Sequence, residues 1–408
     1  MRRPFYGWVI VAAAFTIMMV GFGVAYMFAA FFESLEQEFQ ATRGDISLVF
    51  SICGLLYFLL GAVTGPLADR IGPRRVIGAG MLLIALGLAL ASKATALWQV
   101  YLTYSLAVGL GVGFSYVPSV AVVTRWFVRH RGAAAGIAVA GIGVGTMIGA
   151  PLAAVLIAWS DWRTTYQVLA VATLVLGLGA TALLSARPED RGLHPDGAAA
   201  PPPAGGGSGD GLSLGEALRT RLFRVYYLSA ALLSLGLFVP FVHLAKYAAD
   251  HGIGEATGVV MISLIGVGSM LGRFVLGGLA DRWGRLATMT AMYFGLAAMD
   301  VIWLFASSGW VLGPFAVLYG VFYGGFVALA PALTTDYFGG RAASGILGVL
   351  YTGPGFGAFL GPLIAGWTYD WTQSYTPVIV GMALCSLAGA VLIATLPRPG
   401  VQLAGGRA

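Results

Sequence analysis

Residues Leu264–Arg285 read LIGVGSMLGRFVLGGLADRWGR. An apolar run carries one cation, Arg273, in its middle and ends in a turn rich in Gly, Asp and Arg. If this run lies in hydrocarbon, its arginine costs about 3 kcal/mol or more, and a residue that costly marks function unless something neutralises it. The rest of the chain places it in hydrocarbon. Of 408 residues, 58% are hydrophobic and 10% charged, against about 25% charged in soluble domains. Similar apolar runs recur along the whole length, each near the ~20 residues a bilayer requires. They fall at roughly 7–32, 46–68, 76–92, 98–124, 132–157, 166–185, 222–247, 257–280, 286–307, 310–335, 342–367 and 376–396.

These spans predict an all-α membrane protein with twelve transmembrane helices in two pseudo-symmetric six-helix bundles. Sixty glycines suit helices that approach closely in lipid. The opening Met-Arg-Arg-Pro-Phe leads into the first span, which is read as a retained helix and not as a cleaved signal. Cys53 and Cys385 both lie in apolar runs, with no disulfide or metal spacing. No phosphate-binding Gly-rich loop, metal cluster or catalytic constellation is present, so an ATP-driven pump or a membrane enzyme is not expected, and no cofactor is implied.

The net charge of +6 reports topology, not nucleic-acid binding. Eighteen of the 23 basic residues fall on the side shared by both termini and the stretch between spans 6 and 7. Arg43, Lys93, Arg163 and Lys246 fall on the other side, and Arg273 is left in the membrane. Basic residues concentrate on the cytoplasmic side, so both termini are expected there, in a multi-pass protein of the plasma (bacterial inner) membrane. The stretch RPEDRGLHPDGAAAPPPAGGGSGDG, from Arg187 to Gly211, reads as a flexible linker, and Leu212–Leu222 as a short surface helix. The expected division is an N-terminal bundle (1–186), a cytoplasmic linker with that helix (187–221) and a C-terminal bundle (222–408).

The halves repeat. Gly65–Arg75, GPLADRIGPRR, returns 212 residues later as Gly277–Arg285. Trp126-Phe127 returns as Tyr337-Phe338 and Pro151 as Pro362, each 211 residues on, and Trp162…Tyr166 returns as Trp371…Tyr375 at 209. Such a repeat is a common transporter plan. The position matching Arg273 in the first half is Gly61, so the scaffold itself does not demand the arginine.

The loop G-x-L-A-D-R-x-G at both repeat positions resembles the signature of the major facilitator superfamily. Further features resemble its monocarboxylate transporter family: Tyr6-Gly7-Trp8, the run Arg125-Trp-Phe127 followed by Arg131-Gly-Ala-Ala-Ala-Gly136, Pro240-Phe-Val-His243-Leu, and the lone arginine of span 8. The resemblance implies proton-linked carriage of lactate, pyruvate and related acids. Oxalate/formate-type organic anion exchange is the alternative, but span 11 lacks the second cation of that type. Tyr26 stands where animal members have a lysine, and Ser269 where they have an aspartate, so the usual proton-coupling pair is missing.

Arg273 is the leading substrate-binding candidate. Guanidinium stays charged and offers a planar fork to a carboxylate. It lies about seven residues, or roughly 10 Å, from the cytoplasmic end, too far to reach headgroups comfortably. One fixed cation balances one negative charge, which favours a monocarboxylate over a dianion. Aromatics able to wall a central cavity are Tyr26, Phe28, Tyr57, Tyr116, Phe322, Tyr323, Tyr351 and Phe356. Of these, Tyr26, Tyr323, Tyr116, Tyr351 and Phe356 join the candidate substrate site, set against the plainer reading of helix packing. Asp69, Asp281, Arg125, Asp336, Arg131 and Arg341 are candidate gating residues at the cytoplasmic helix ends. His243 and Asp300 are the proton-coupling candidates, set against the plainer readings of an outer-surface histidine and a packing or interface aspartate. The expected partners are a small carboxylate, a proton and the lipid bilayer, with no nucleic acid.

Overall fold

The computed structural model describes residues 5–198 and 211–399, and nothing of the side chains at 62, 255, 277 and 281. Among the described residues there are twelve helices long and apolar enough to cross a membrane. They are α1 (Gly7–Phe39), α2 (Arg43–Ile71), α3 (Pro73–Ala91), α4 (Leu97–Trp126), α5 (Arg131–Trp159) and α6 (Trp162–Leu183), followed by α7 (Arg221–Asp250), α8 (Glu255–Trp283), α9 (Arg285–Leu304), α10 (Gly309–Phe338), α11 (Ala343–Thr372) and α12 (Thr376–Ala394). Each matches one predicted span. No strand is described, and the one isolated bridge joins Gly211 to Gly339.

Local chemistry sets the ends. Thr42 caps α2 in a reciprocal capping box with Asp45, and Asp161 caps α6 through the Thr164 N–H. Gly72 and Gly284 stand at equivalent turns between α2 and α3 and between α8 and α9, with φ of 95° and 89°. Only glycine enters that region cheaply, which explains its place in both copies of the repeated loop. α1 tightens into a 3₁₀ turn over Met27–Phe31 before continuing to Phe39. This carries it further than the predicted span.

Small residues set the packing. A β-carbon on Gly268 or Gly272 of α8 would strike the carbonyls of Val317 or Val321 on α10, and one on Gly320 or Gly324 of α10 would strike those of Ile265 or Ser269 on α8. In the first half Gly109 and Gly113, the repeat partners of Gly320 and Gly324, also lie against α2, though less tightly. Backbone-to-backbone approach of this kind drives helix association in lipid.

The stretch between α6 and α7 departs from expectation at its start. Pro188–Arg191 forms a 3₁₀ turn. Asp196 accepts from the N–H groups of Val128 and Arg129 at 2.9 and 2.8 Å. Arg191 lies over the Tyr6 ring, with its guanidinium carbon 3.7 Å from the centroid. Residues 188–198 are therefore docked on the first bundle rather than loose, because a carboxylate meets free backbone N–H groups of the α4–α5 turn there. The expected flexible core of the linker, 199–210, lies outside the described residues. The surface helix is present as Leu214–Arg219, with Ser213 and Glu216 in a capping box.

The two halves meet away from the termini. Gly54 and Ala358, Gly143 and Met270, and Phe58 and Tyr351 touch across the interface. At the far end Arg43 on α2 pairs with Asp250 on α7, and Lys246 on α7 pairs with Glu36 on α1. On the terminus side of Arg273, no hydrogen bond or ion pair joins the halves among the described residues. The pairs Asp69–Arg125 and Arg285–Asp336 each stay within one half. Nothing lies within 4 Å of a β-carbon built on Gly132 or Gly136 of α5, or on Gly278 of α8. The halves are tied together at the far end, and among the described residues no polar contact ties them at the terminus end.

Candidate functional site

Between the halves, beneath the sealed end, lies a small cavity of about 40 Å³. Phe22, Tyr26, Tyr57 and Tyr116 wall it from the first half, and Phe238, Tyr323 and Tyr351 from the second. Its walls come from α1, α2, α4, α7, α10 and α11, with Ile142 added by α5. The hydroxyls of Tyr26 and Tyr323 hydrogen-bond across the halves at 2.9 Å. Tyr26 stacks on Phe241 with ring centroids 4.7 Å apart, closing the cavity toward the far end.

Arg273, on α8, is not part of the ring wall but lies within electrostatic reach of four of its tyrosines. It is 6% exposed, so its charge has almost no water. Its Nη1 donates to the Val139 carbonyl on α5, while Nε and Nη2 have no partner. The phenols of Tyr323, Tyr116, Tyr26 and Tyr351 are near enough to interact with its charge. Ser269, one helical turn before it, has a buried hydroxyl without a partner, and so has Tyr351. Buried donors are nearly always satisfied in folded proteins, so several orphans in one place call for an explanation. Arg273 makes no ion pair among the described residues. Asp300, the nearest intramembrane acid in sequence, accepts from Ser386 on α12 at 2.7 Å and stands apart from it.

Four of the five aromatic candidates, Tyr26, Tyr323, Tyr116 and Tyr351, therefore share one cavity beside Arg273. Phe356 does not join them: it is half exposed on the outer face of α11. Phe28 packs inside the first bundle on Phe50 and Tyr104, and Phe322 covers Gly295 on α9. Phe22 and Phe238 were not among the expected wall residues, because apolar rings in apolar helices carry no distinguishing signal.

His243 is fully buried at the sealed end, not on the outer surface, and contacts Ser47, Pro362 and Tyr375. Asp300 is buried 99% of the way, at 1% exposure, between α9 and α12. Among the gating candidates, Asp69 holds Arg125, Asp336 holds Arg285, and Arg131 donates to the Phe127 carbonyl at 3.3 Å. Arg341 lies near Glu216 of the surface helix. The side chain of Asp281 lies outside the described residues. The network at the far end (Arg43, Lys246, Glu33, Glu36, Asp250, Asp370) was not foreseen. Its only sequence signal was that Arg43 and Lys246 are two of the few cations on that side.

A profile of the Major Facilitator Superfamily matches residues 13–316 and 230–407. Monocarboxylate transporter 12-B of Danio rerio is 30% identical, over 93% of this chain and 85% of that one. Monocarboxylate transporter 13 of Bos taurus is 30% identical over 96% and 90%, and monocarboxylate transporter 3 of Rattus norvegicus 31% over 91% and 75%. A solved bacterial homologue of the human lysosomal transporter Spinster, in an inward-facing and unoccupied conformation, shares the fold with a TM-score of 0.68 at 13% identity, covering 97% of this chain and 96% of that one. The repeated loop, the twelve helices and these matches agree, and the chain belongs to the major facilitator superfamily and, within it, to the monocarboxylate transporter family.

Proposed function

We propose that the chain is a secondary active transporter that carries small monocarboxylates, such as L-lactate or pyruvate, together with a proton by alternating access of its two bundles. The observation that carries this is the set of orphaned donors beside the cavity: Nε and Nη2 of Arg273 and the hydroxyls of Ser269 and Tyr351. Two adjacent guanidinium nitrogens match the two oxygens of a carboxylate. The phenols supply apolar walls with single hydrogen bonds, which suits the hydroxyl or keto group of a short acid. The family's named members support the substrate class. One cation is balanced by one carboxylate, and a dianion would leave a charge unpaired in low dielectric.

In this reading residues 1–186 and 222–408 move against each other, linked by 187–221. The arginine-rich terminus side is cytoplasmic and the membrane is the bacterial inner membrane. The conformation described here is then open inward. Asp69, Arg125, Asp336, Arg131 and Arg341 exchange their present partners when the cytoplasmic side closes, and Asp281 is expected to join them.

Uptake of labelled L-lactate by proteoliposomes, with and without an inward proton gradient, tests the proposal. The gradient is expected to stimulate uptake, and its failure to do so would sink proton symport. Arg273→Ala is expected to abolish uptake while the protein remains folded. A folded variant with full activity would remove Arg273 from the substrate site.

A further inference from the structure

The sealed far end contains one titratable ring whose hydrogen bonds are all accounted for. His243 on α7 is 0% exposed. Its Nε2 lies 2.9 Å from the Pro362 carbonyl oxygen on α11 and 3.1 Å from Ser47 Oγ on α2. Its Nδ1 lies 3.1 Å from Tyr375 Oη at the start of α12, which is itself 2.9 Å from Nη1 of Arg43. Donor accounting assigns the hydrogens. A carbonyl only accepts, so Nε2 carries a hydrogen. The Ser47 hydroxyl is committed to the Arg43 carbonyl at 2.6 Å, which leaves its oxygen to accept. A guanidinium only donates, so Tyr375 Oη accepts from Arg43 and turns its own hydrogen to Nδ1. The network closes with a neutral ring.

A second ring proton has no place in it. Nδ1–H would face a phenol oxygen already bound to a cation, and the phenol hydrogen would lose its acceptor. The charged and titratable groups facing the ring are Arg43 from α2, Lys246 and Asp250 from its own helix, Glu33 and Glu36 from α1, and Asp370, Tyr369 and Tyr375 from α11 and α12. Each acid is already engaged. Arg43 chelates Asp250 at 2.6 and 2.8 Å. Lys246 holds Glu33 and Glu36 at 3.1 and 2.7 Å. Asp370 accepts from the backbone N–H of Arg43 and of Gly44 at 3.0 and 2.9 Å. An imidazolium would be a buried charge without a counter-ion, beside Arg43, in a site where such a charge is expensive.

We propose that His243 is a proton-binding site whose occupancy is exclusive with the sealed far end: the gate closes on the neutral ring, and proton uptake from the far side opens it. This rests on the alternating-access reading above. It gives the proton a site at the gate, separate from the carboxylate site at Arg273. A one-proton linkage changes the ratio of open to sealed molecules by at most about tenfold per pH unit.

Spin labels on Lys93→Cys and Ser307→Cys, exposed far-side positions on the two halves, report the gate by pulsed distance measurement. The full chain is used in lipid nanodiscs without substrate, with Cys53 and Cys385 replaced by serine. The long-distance population is expected to grow as the pH falls from about 8 to about 5.5, the range in which histidine charges. His243→Gln keeps a donor for the Pro362 carbonyl but takes up no proton, and is expected to lose that response. Tyr375→Phe removes the bonds to both Arg43 and His243, and is expected to shift the opening midpoint to higher pH; it serves also where the histidine variant folds poorly. A wild-type distance independent of pH, or an undiminished response in His243→Gln, overturns the proposal. Loss of lactate uptake with the pH response intact would count against the transport reading instead.

Discussion

A guanidinium sealed from water keeps its charge, so whatever surrounds Arg273 must either neutralise it or wait for something that does. Among the described residues it meets one carbonyl, four nearby phenols and no carboxylate. Arg273→Lys keeps the charge but loses the planar fork, and is expected to lower kcat/KM for L-lactate by at least about tenfold, as read from initial uptake rates. Tyr26→Phe loses the 2.9 Å bond to Tyr323 while keeping the ring on Phe241. It is expected to raise KM severalfold, on the order of the ~1 kcal/mol of one hydrogen bond, with an unchanged melting temperature. The arginine was legible in the sequence because a charge in an apolar run stands out. The tyrosines were legible only as a pool. Which of them face inward follows from helix phase: Tyr351 and Pro354 both border the cavity, whereas five residues at about 100° each turn Phe356 roughly 140° away from Tyr351, toward lipid.

At the level of elements, α8 holds Arg273 in place through its glycine contact with α10. A methyl on Gly272 meets the Val321 carbonyl, which is backbone and cannot turn aside. Gly272→Ala is expected to destabilise the protein by about 1–3 kcal/mol, seen as a lower melting temperature in detergent, and to weaken substrate binding by moving the adjacent arginine. The docked start of the linker gives a pH prediction. Partial desolvation raises the Asp196 carboxyl, but the backbone N–H groups of Arg129, Val128 and His130 outweigh it and hold the group below its ordinary value. A lowered value means that the docking stabilisation is complete above the ordinary carboxylate range, about pH 4, and is lost as the pH falls through the lowered value. The protection of the amides at residues 128–130, taken relative to their intrinsic exchange rate at each pH, should be high at neutral pH and fall in acid. In Asp196→Ala it should already be low at neutral pH. The composition of Arg187–Gly211 suggested a loose linker because Pro, Gly and charge dominate it. One aspartate meeting the N–H groups of a turn is a tertiary accident that composition does not register.

For the whole molecule, the notable asymmetry is between its two ends. The repeat supplies Arg125 at the end of α4 and Asp336 at the matching end of α10, yet each pairs within its own half, with Asp69 and Arg285. At the far end Arg43 and Lys246 reach across to the opposite half. Asp250→Asn leaves Arg43 without its chelating partner and is expected to raise the far-open population several-fold at neutral pH, measured by the same label pair on Lys93→Cys and Ser307→Cys. Equal distance distributions in variant and parent would show that the pair does not hold the gate. Helix count and internal repeat were legible, since hydropathy and spacing are properties of linear sequence. The contrast between the two ends was not, since it depends on which of several cations meets which acid across an interface.

The sequence by itself determined that the chain spans a membrane twelve times, that its halves are copies and that one copy alone carries a buried arginine. These follow from the cost of placing charge in hydrocarbon and from periodic spacing. The tertiary structure decided which tyrosines share a cavity with that arginine, that four donors there lack partners, and that His243 lies inside the sealed gate instead of on the surface. Those depend on helix phase and on the approach of α2 and α7 to α11, contacts between residues up to 332 positions apart in the chain, as for Arg43 and Tyr375.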